Sequence, residues 1–296
     1  MNLAELASLK TWFSVGARRR PHGLYEWIFT PFAAAVGAYV IVAATIVIIA
    51  PWTLTVLFFS GVGALAFLTT GAFEDSKIEK PSIVDMALAL ASIAVGVYFA
   101  IQAPTILNRI VLLDELTQLD VIFGTLVFII TLEITRRTTG LGLTTLVLIF
   151  AVYNLWGHNL SGVLQHGKID YLHFIEITVF TTDGIFGLPL RVAATYAFMF
   201  VMFGTILHAC GGGDFFFNFA AAISGKRPGG PAKVAVISSG MYGMLSGSPT
   251  SDVVTTGSIT IPIMKRLGYR GAHAGAIEVA ASTGGSLVPP VLGTAA

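Results

Sequence analysis

The sequence predicts an all-α, polytopic integral membrane fold of about six transmembrane helices plus one re-entrant helical hairpin. Three observations carry that prediction. Of the 296 residues, 55% are hydrophobic and 11% are charged, with a mean hydropathy of +0.81; soluble domains carry roughly 25% charged residues. No Asp, Glu, Lys or Arg falls between Glu26 and Glu74, a stretch long enough for two spans of about 20 residues each. Finally, the late apolar stretch Ser238–Thr260 reads SSGMYGMLSGSPTSDVVTTGSIT. Ser, Thr and Gly supply 14 of its 23 residues, with a Pro and an Asp near the middle.

Residues 1–25 are a polar lead. They are mixed and basic, and the apolar run after them is longer than the roughly 7–15 residues of a signal-peptide core, so no cleavable signal is expected. Residues 26–118 hold three spans: Ile28–Ala50, Trp52–Thr70 after the separating Pro51, and Ile83–Ala103. Residues 119–296 are richer in Gly, Thr and broken runs, and hold Leu119–Ile134, Leu141–Gly157 and Val192–Cys210. Between the last two lies the polar outer stretch His158–Asp183, where Phe174, Ile175, Thr178 and Val179 have helical spacing. A GGG breaker at 211–213 ends the sixth span. Phe215–Ala222 reads as a helix at the membrane boundary, and GKRPGGP at 225–231 as a tight turn. The single cysteine, Cys210, excludes an intrachain disulfide and reads as a buried packing thiol.

Charge gives the orientation. With a cytoplasmic N-terminus, the cytoplasmic segments hold fourteen basic residues, and the opposite side holds only Arg109, Lys168 and Arg191. The positive-inside rule therefore places the N-terminus in the cytoplasm. The rule also requires the Ser238–Thr260 segment to enter and leave on the cytoplasmic side, since Lys233 precedes it and Lys265 and Arg266 follow it. A re-entrant hairpin satisfies this and a single crossing does not. The basic residues are scattered over short loops, so no nucleic-acid surface is expected.

Pro249 lacks a backbone N–H and breaks the helical ladder. Freed backbone groups at membrane depth survive only inside protein or beside a water-lined cavity. The segment thus reads as two half-helices meeting at Ser246–Asp252 with their broken ends aimed at a solute. A second break is expected at Ser282–Pro290 (STGGSLVPP), after the short helix Ala272–Ala281. No second copy of the Ser246–Asp252 pattern follows. Transporters of this kind use two inverted halves around one site, so the chain reads as the N-terminal portion of a longer permease whose C-terminal half is a partner still to be supplied.

The stretches LEITRRTTG (132–140), TTDGIFGLPL (181–190), GGGDFFFNFA (211–220), GKRPGGPAKVAV (225–236), GMYGMLSGS (240–248), VVTTGSITIPIMKRLGY (253–269) and GAIEVAASTGGSLVPPVLG (275–293) occur in the order and spacing of one family. From about Leu119 onward the chain resembles the fused permease of tripartite ATP-independent periplasmic (TRAP) transporters, with a DctM-like large-subunit domain. Residues 26–118 resemble the small membrane subunit fused ahead of it, in span pattern only. The resemblance implies a multi-pass protein of the bacterial inner membrane and a secondary active symport of an organic anion, a carboxylate, driven by sodium. A periplasmic substrate-binding protein would deliver the anion to an elevator-type transport domain with two re-entrant hairpins. Val234–Met264 matches the first hairpin. No cofactor is implied beyond sodium as coupling ion. Asp252 and the SPTS before it stand where the family has a run of small residues and often Asn.

The candidate binding residues are Ser246, Gly247, Ser248, Thr250, Ser251 and Asp252 at the hairpin tip, and Ser282, Thr283, Gly284 and Gly285 at the second break. Pro249, Pro289 and Pro290 are the structural breaks. Hydroxyl and carbonyl oxygens suit a hard cation, and half-helix N–H groups suit a carboxylate. Ser248, Asp252, Thr283 and Gly284 are the sodium candidates. The plainer reading is close packing of small residues between helices, with Asp252 an N-cap for Val253–Met264. Glu278 is either a buried functional acid or the partner of a nearby Arg or Lys. Glu133 with Arg136 and Arg137 reads as an interfacial salt bridge with snorkelling arginines. His158, His166 and His173 fit no chelating motif and read as polar loop residues. Two other functional classes are open: a truncated, non-transporting membrane scaffold, and an intramembrane enzyme using Asp252 and Glu278. The enzyme is disfavoured because no Ser–His, metal-ligand or HExxH arrangement lies near either acid.

Overall fold

The computed structural model describes residues 15–19, 23–47, 49–74, 76, 80–246, 249–285 and 287–288. They are helical apart from turns and one isolated antiparallel bridge, Arg18 to Thr70. Among the described residues six stretches are long and apolar enough to cross a membrane: 25–43, 51–69, 83–107, 118–139, 141–159 and 188–207. Each overlaps an expected span. The chain divides into two compact units, Met1–Ala194 and Thr195–Ala296.

The first unit contains α1 (Leu24–Thr45), α2 (Pro51–Thr69), α3 (Ile83–Leu107), α4 (Gln118–Thr139), α5 (Leu141–Trp156), α6 (Tyr171–Val179) and α7 (Leu188–Val192). Local chemistry sets their ends. Pro51 opens α2, where its missing N–H removes no helical bond. Ser82 and Thr117 begin α3 and α4 with capping boxes closed by Asp85 and Asp120. Gly140, at φ 86°, both ends α4 and starts α5, in a left-handed conformation that glycine reaches without penalty.

Small residues let α2 and α3 approach closely. Ser60 Oγ donates to Ser92 O at 2.8 Å, and Ser92 Oγ donates to Ser60 O at 3.1 Å. A Cβ on Gly96 would lie 2.3 Å from Ser60 Oγ, and one on Gly63 would lie 2.6 Å from Ser92 Oγ. Backbones that pack this tightly are held by van der Waals contact and interhelical hydrogen bonds, which is what associates helices in lipid. Around this seam Val56, Phe67, Val95, Phe99, Val127, Ile130 and, from the outer stretch, Ile175 and Val179 form the core. Of the four outer residues with helical spacing, Phe174, Ile175 and Val179 are buried on α6, together with the acid Glu176.

One end of this unit departs from the snorkelling expected of the arginines. Arg137 is buried: it donates to Asp85 Oδ1 at 2.6 Å and to Glu133 Oε1 at 2.7 Å. Arg19 pairs with Asp85 Oδ2 at 2.7 Å. Arg136 makes a two-pronged contact with Glu133, both bonds at 2.8 Å. Residues 16–19 close over this cluster as a strap. Gly16 N–H donates to Arg137 O, Ala17 to Phe73 O and Arg19 to Thr69 O, while Gly71 donates back to Ala17 O. The salt bridge is therefore an interior one, because residues 15–19 remove Arg137 from the surface. The same contacts carry α4 past Ile134 to Thr139.

At the opposite end, His166 is fixed rather than loose. Its Nε2 lies 2.9 Å from Tyr153 O and its Nδ1 2.6 Å from Gly167 O. Two carbonyl acceptors favour the doubly protonated ring, and they raise the His166 pKa above its ordinary value.

The second unit contains α8 (Phe198–Ala209), α9 (Gly212–Ser224), α10 (Gly230–Ser246), α11 (Pro249–Thr255), α12 (Gly257–Arg266) and α13 (Gly271–Gly285). Gly211 alone makes the left-handed turn after α8, at φ 85°. Gly212 and Gly213 then belong to α9, which starts earlier than the GGG run suggests. Cys210, at that turn, is exposed rather than buried. The hairpin arms are α10 on one side and α11 with α12 on the other, and α13 packs against all three.

Candidate functional site

Three sequence expectations about the hairpin and second break are refined by the helix boundaries. Pro249 opens α11, so Asp252 lies within the first turn and is not the N-cap of a helix starting at Val253. The returning arm breaks again at Thr256, a turn residue between α11 and α12. The expected unwinding at Ser282–Gly285 does not occur there: α13 remains helical to Gly285. The reason is packing. Gly243 and Gly285 sit at the crossing of α10 and α13, and a helical glycine gives that crossing its close approach. Gly247, Ser248, Pro289 and Pro290 lie outside the described residues, and the described side chains do not include those of Ser246, Thr250 and Ser251.

Asp252 is completely buried. Its Oδ2 occupies the notch left by the two glycines: a Cβ on Gly243 would be 2.9 Å from it, and one on Gly285 would be 2.8 Å from it. The carboxylate therefore lies against backbone where α10, α11 and α13 converge. Ser282 is buried one turn before this crossing, whereas Thr283 is exposed and donates to Val279 O at 2.7 Å. The structure brings Asp252, Ser282 and Gly285 to the interior and turns Thr283 away from it.

The sequence reading singled out Glu278 but not its surroundings. Glu278 is fully buried. Ser239 Oγ donates to its Oε1 at 2.8 Å and Thr256 Oγ1 lies 2.5 Å from the same atom. Thr260 Oγ1 contacts its Oε2. Among the described residues no Lys or Arg pairs with it. Glu278 is thus a buried acid and, among the described residues, not the partner of a nearby Arg or Lys. Thr256 and Thr260 are four apart, so one helical face carries both hydroxyls; that spacing, with Glu278 known, was the available signal. Gly257 makes room for the acid, since its Cβ would lie 3.0 Å from Glu278 Cγ.

Beside this cluster is a cavity of about 230 Å³, lined by Asp214, Phe217, Ser238, Thr255, Thr256 and Ser258 among others. Thr256 is shared between cavity and cluster. The donor atoms around Glu278 are all oxygens, a set that suits hard cations rather than transition metals. Among the described residues no group of His, Cys, Asp and Glu is arranged to hold a metal ion through three such ligands.

Comparisons with known proteins agree with this architecture. The family profile described as "Tripartite ATP-independent periplasmic transporter, DctM component" matches residues 126–296. The isethionate TRAP transporter permease protein DctMQ of Oleidesulfovibrio alaskensis is 29% identical over 177 residues, 60% of this chain and 24% of that protein. The C4-dicarboxylate TRAP transporter large permease protein DctM of Pseudomonas aeruginosa is 32% identical over 123 residues, 39% of this chain and 29% of the relative. The protein of the same name from Vibrio cholerae is 35% identical over 91 residues, 31% of this chain and 20% of the relative. The chain thus spans between a fifth and a third of the length of these relatives. No solved structure matches it.

Proposed function

The chain belongs to the DctM component family of tripartite ATP-independent periplasmic transporters, and from that membership we propose that it forms part of a permease importing a small organic anion with sodium as the coupling ion. Its six apolar helical stretches make it a multi-pass membrane protein. A periplasmic binding protein delivers the anion, the membrane is the bacterial inner membrane, and the N-terminus faces the cytoplasm. One relative is named for isethionate and two for C4-dicarboxylates, which supports a small anion, with a carboxylate as the first candidate.

The observation that carries this reading is the placement of Asp252. A fully buried carboxylate, held between two glycines at the convergence of three helices, is expensive in a membrane and is functional by default. With Ser248 and Gly284 it is the proposed sodium site; Thr283, exposed and donating to Val279 O, lies outside it. Ser246, Gly247, Thr250 and Ser251 at the tip, with Ser282 and Gly285, are the further candidates for ion and anion contact. Proteoliposomes holding the permease, given loaded binding protein and an inward sodium gradient, should accumulate the anion and stop when choline replaces sodium. Uptake that continues unchanged without sodium sinks the coupling.

A further inference from the structure

We propose that the loop at residues 108–117, which joins α3 to α4, lies in the headgroup layer of the bilayer and anchors this end of the first unit to lipid. Its polarity is the reverse of that of a loop built for water. Ile110, Val111, Leu112 and Leu113 are all exposed, Leu113 to 76%. Arg109, the residue that water would solvate best, is tucked inside with 9% of its side chain exposed. Its Nη1 lies 3.9 Å from Asp120 Oδ2, its Nε lies 3.8 Å from Glu176 Oε1, and its Nη2 donates to Asp114 O. Single exposed apolar side chains are ordinary on any protein. Four in succession form a patch of the kind that meets a membrane or another protein.

The backbone of the loop is prepared for an apolar surrounding. The N–H groups of Arg109, Leu113 and Asp114 donate to carbonyls within the segment, and that of Ile110 donates to Asp114 Oδ2 at 2.8 Å. The N–H of Leu112 donates to Glu176 Oε1 of α6 at 3.2 Å. Near lipid, a backbone donor without such a partner is costly. Leu112 has φ 68°, and among the described residues it is the one positive-φ position that is not glycine. A bulky side chain rarely adopts that conformation. Here the carboxylate of Glu176 holds it, in a turn that leaves Leu112 and Leu113 outside and Arg109 within.

Continuity with the spans selects lipid as the occupant. Both helices that the loop joins are long and apolar enough to cross a membrane. The exposed apolar surface runs on from Leu107 at the end of α3, through the loop, to Leu119 at the start of α4. The 25 residues of α3 extend about 37 Å, beyond the hydrocarbon core of about 30 Å but within the roughly 40–45 Å of the whole bilayer. A loop at its end therefore begins among the headgroups. Only the first unit and its membrane helices are involved, and neither sodium coupling nor anion transport is assumed.

The test places a fluorescent probe at Leu113. Cys210 is the only cysteine, so the full chain carrying Cys210→Ser and Leu113→Cys takes a single bimane label. A second chain with Cys210→Ser and Lys168→Cys reports on water, since the Lys168 side chain is 69% exposed in a charged loop. Both are placed, one copy per disc, in phosphatidylcholine nanodiscs containing lipid brominated high on its acyl chains. Interfacial segments sit about 5–10 Å into the headgroup–acyl boundary, so the brominated lipid should quench the Leu113 probe on the order of twofold more than the Lys168 probe. Aqueous iodide should quench them in the opposite order. Iodide quenching of the Leu113 probe equal to that at Lys168, with no effect of brominated lipid, overturns the proposal by placing the loop in water. Shielding from both quenchers overturns it too, because protein then covers the patch. If Leu113→Cys fails to fold, Ile110→Cys carries the same probe with the same expected outcomes.

Discussion

Gly243 of α10 and Gly285 of α13 face each other with no side chain between them: a Cβ on Gly243 would lie 2.3 Å from Gly285 Cα. The obstacle is backbone, which cannot swing aside. Gly243→Ala should therefore force the helices apart and press on the Asp252 carboxylate, destabilising the second unit by about 1–3 kcal/mol. Thermal unfolding of the purified variant in detergent checks this. A melting temperature equal to wild type would mean that the crossing is looser than described.

Asp252 lies in the same notch. Asp252→Leu should insert normally into the membrane but reduce sodium-dependent uptake to background, because the apolar side chain fills the notch without an oxygen. Membrane fractionation beside a transport assay separates the two effects. Full uptake by the variant would remove Asp252 from the site.

Arg137 and Asp85 pair at 2.6 Å in the interior of the first unit. Removing one member of a buried pair strands the other, at a typical loss of about 3–5 kcal/mol. Arg137→Met should approach that loss. Combining it with Asp85→Asn should recover part of it, moderated by Arg19, which also holds Asp85. A double-mutant cycle on thermal or denaturant unfolding measures the coupling, and strict additivity would exclude an energetic link.

His166 should make stability depend on pH in a defined direction. Its folded-state pKa is raised above the ordinary 6.5 by the carbonyls of Tyr153 and Gly167. The stabilisation is thus complete below the unfolded pKa and disappears as pH rises through the folded one. Wild type should be more stable than His166→Ala at acidic pH, with the difference shrinking toward alkaline pH. A pH-independent difference would mean the ring is held by packing alone.

The spans and the broken hairpin were legible because both follow from composition: uninterrupted apolar runs for the former, and Pro, Gly and Asp within an apolar segment for the latter. The buried charge cluster was not. Nothing local tells Arg137 from a snorkelling arginine, since its burial depends on residues 15–19 and on Asp85, far away in sequence. The helicity of Ser282–Gly285 was equally hidden, because glycine reads as a breaker until the facing Gly243 is known. Around Glu278 the acid itself stood out, while Ser239, Thr256 and Thr260 became partners only once three helix segments converged.

The strap at residues 16–19 has a consequence for biosynthesis. Its hydrogen-bond and charge partners arrive in the chain from Thr69 to Arg137. At roughly 5–20 residues per second, the ribosome needs on the order of ten seconds to make the intervening segment. For roughly the first half of that interval Arg19 exists without the Asp85 it finally meets. Residues 16–19 thus dock well after they are translated, and a folded fusion placed close ahead of Val15 would compete with that late closure.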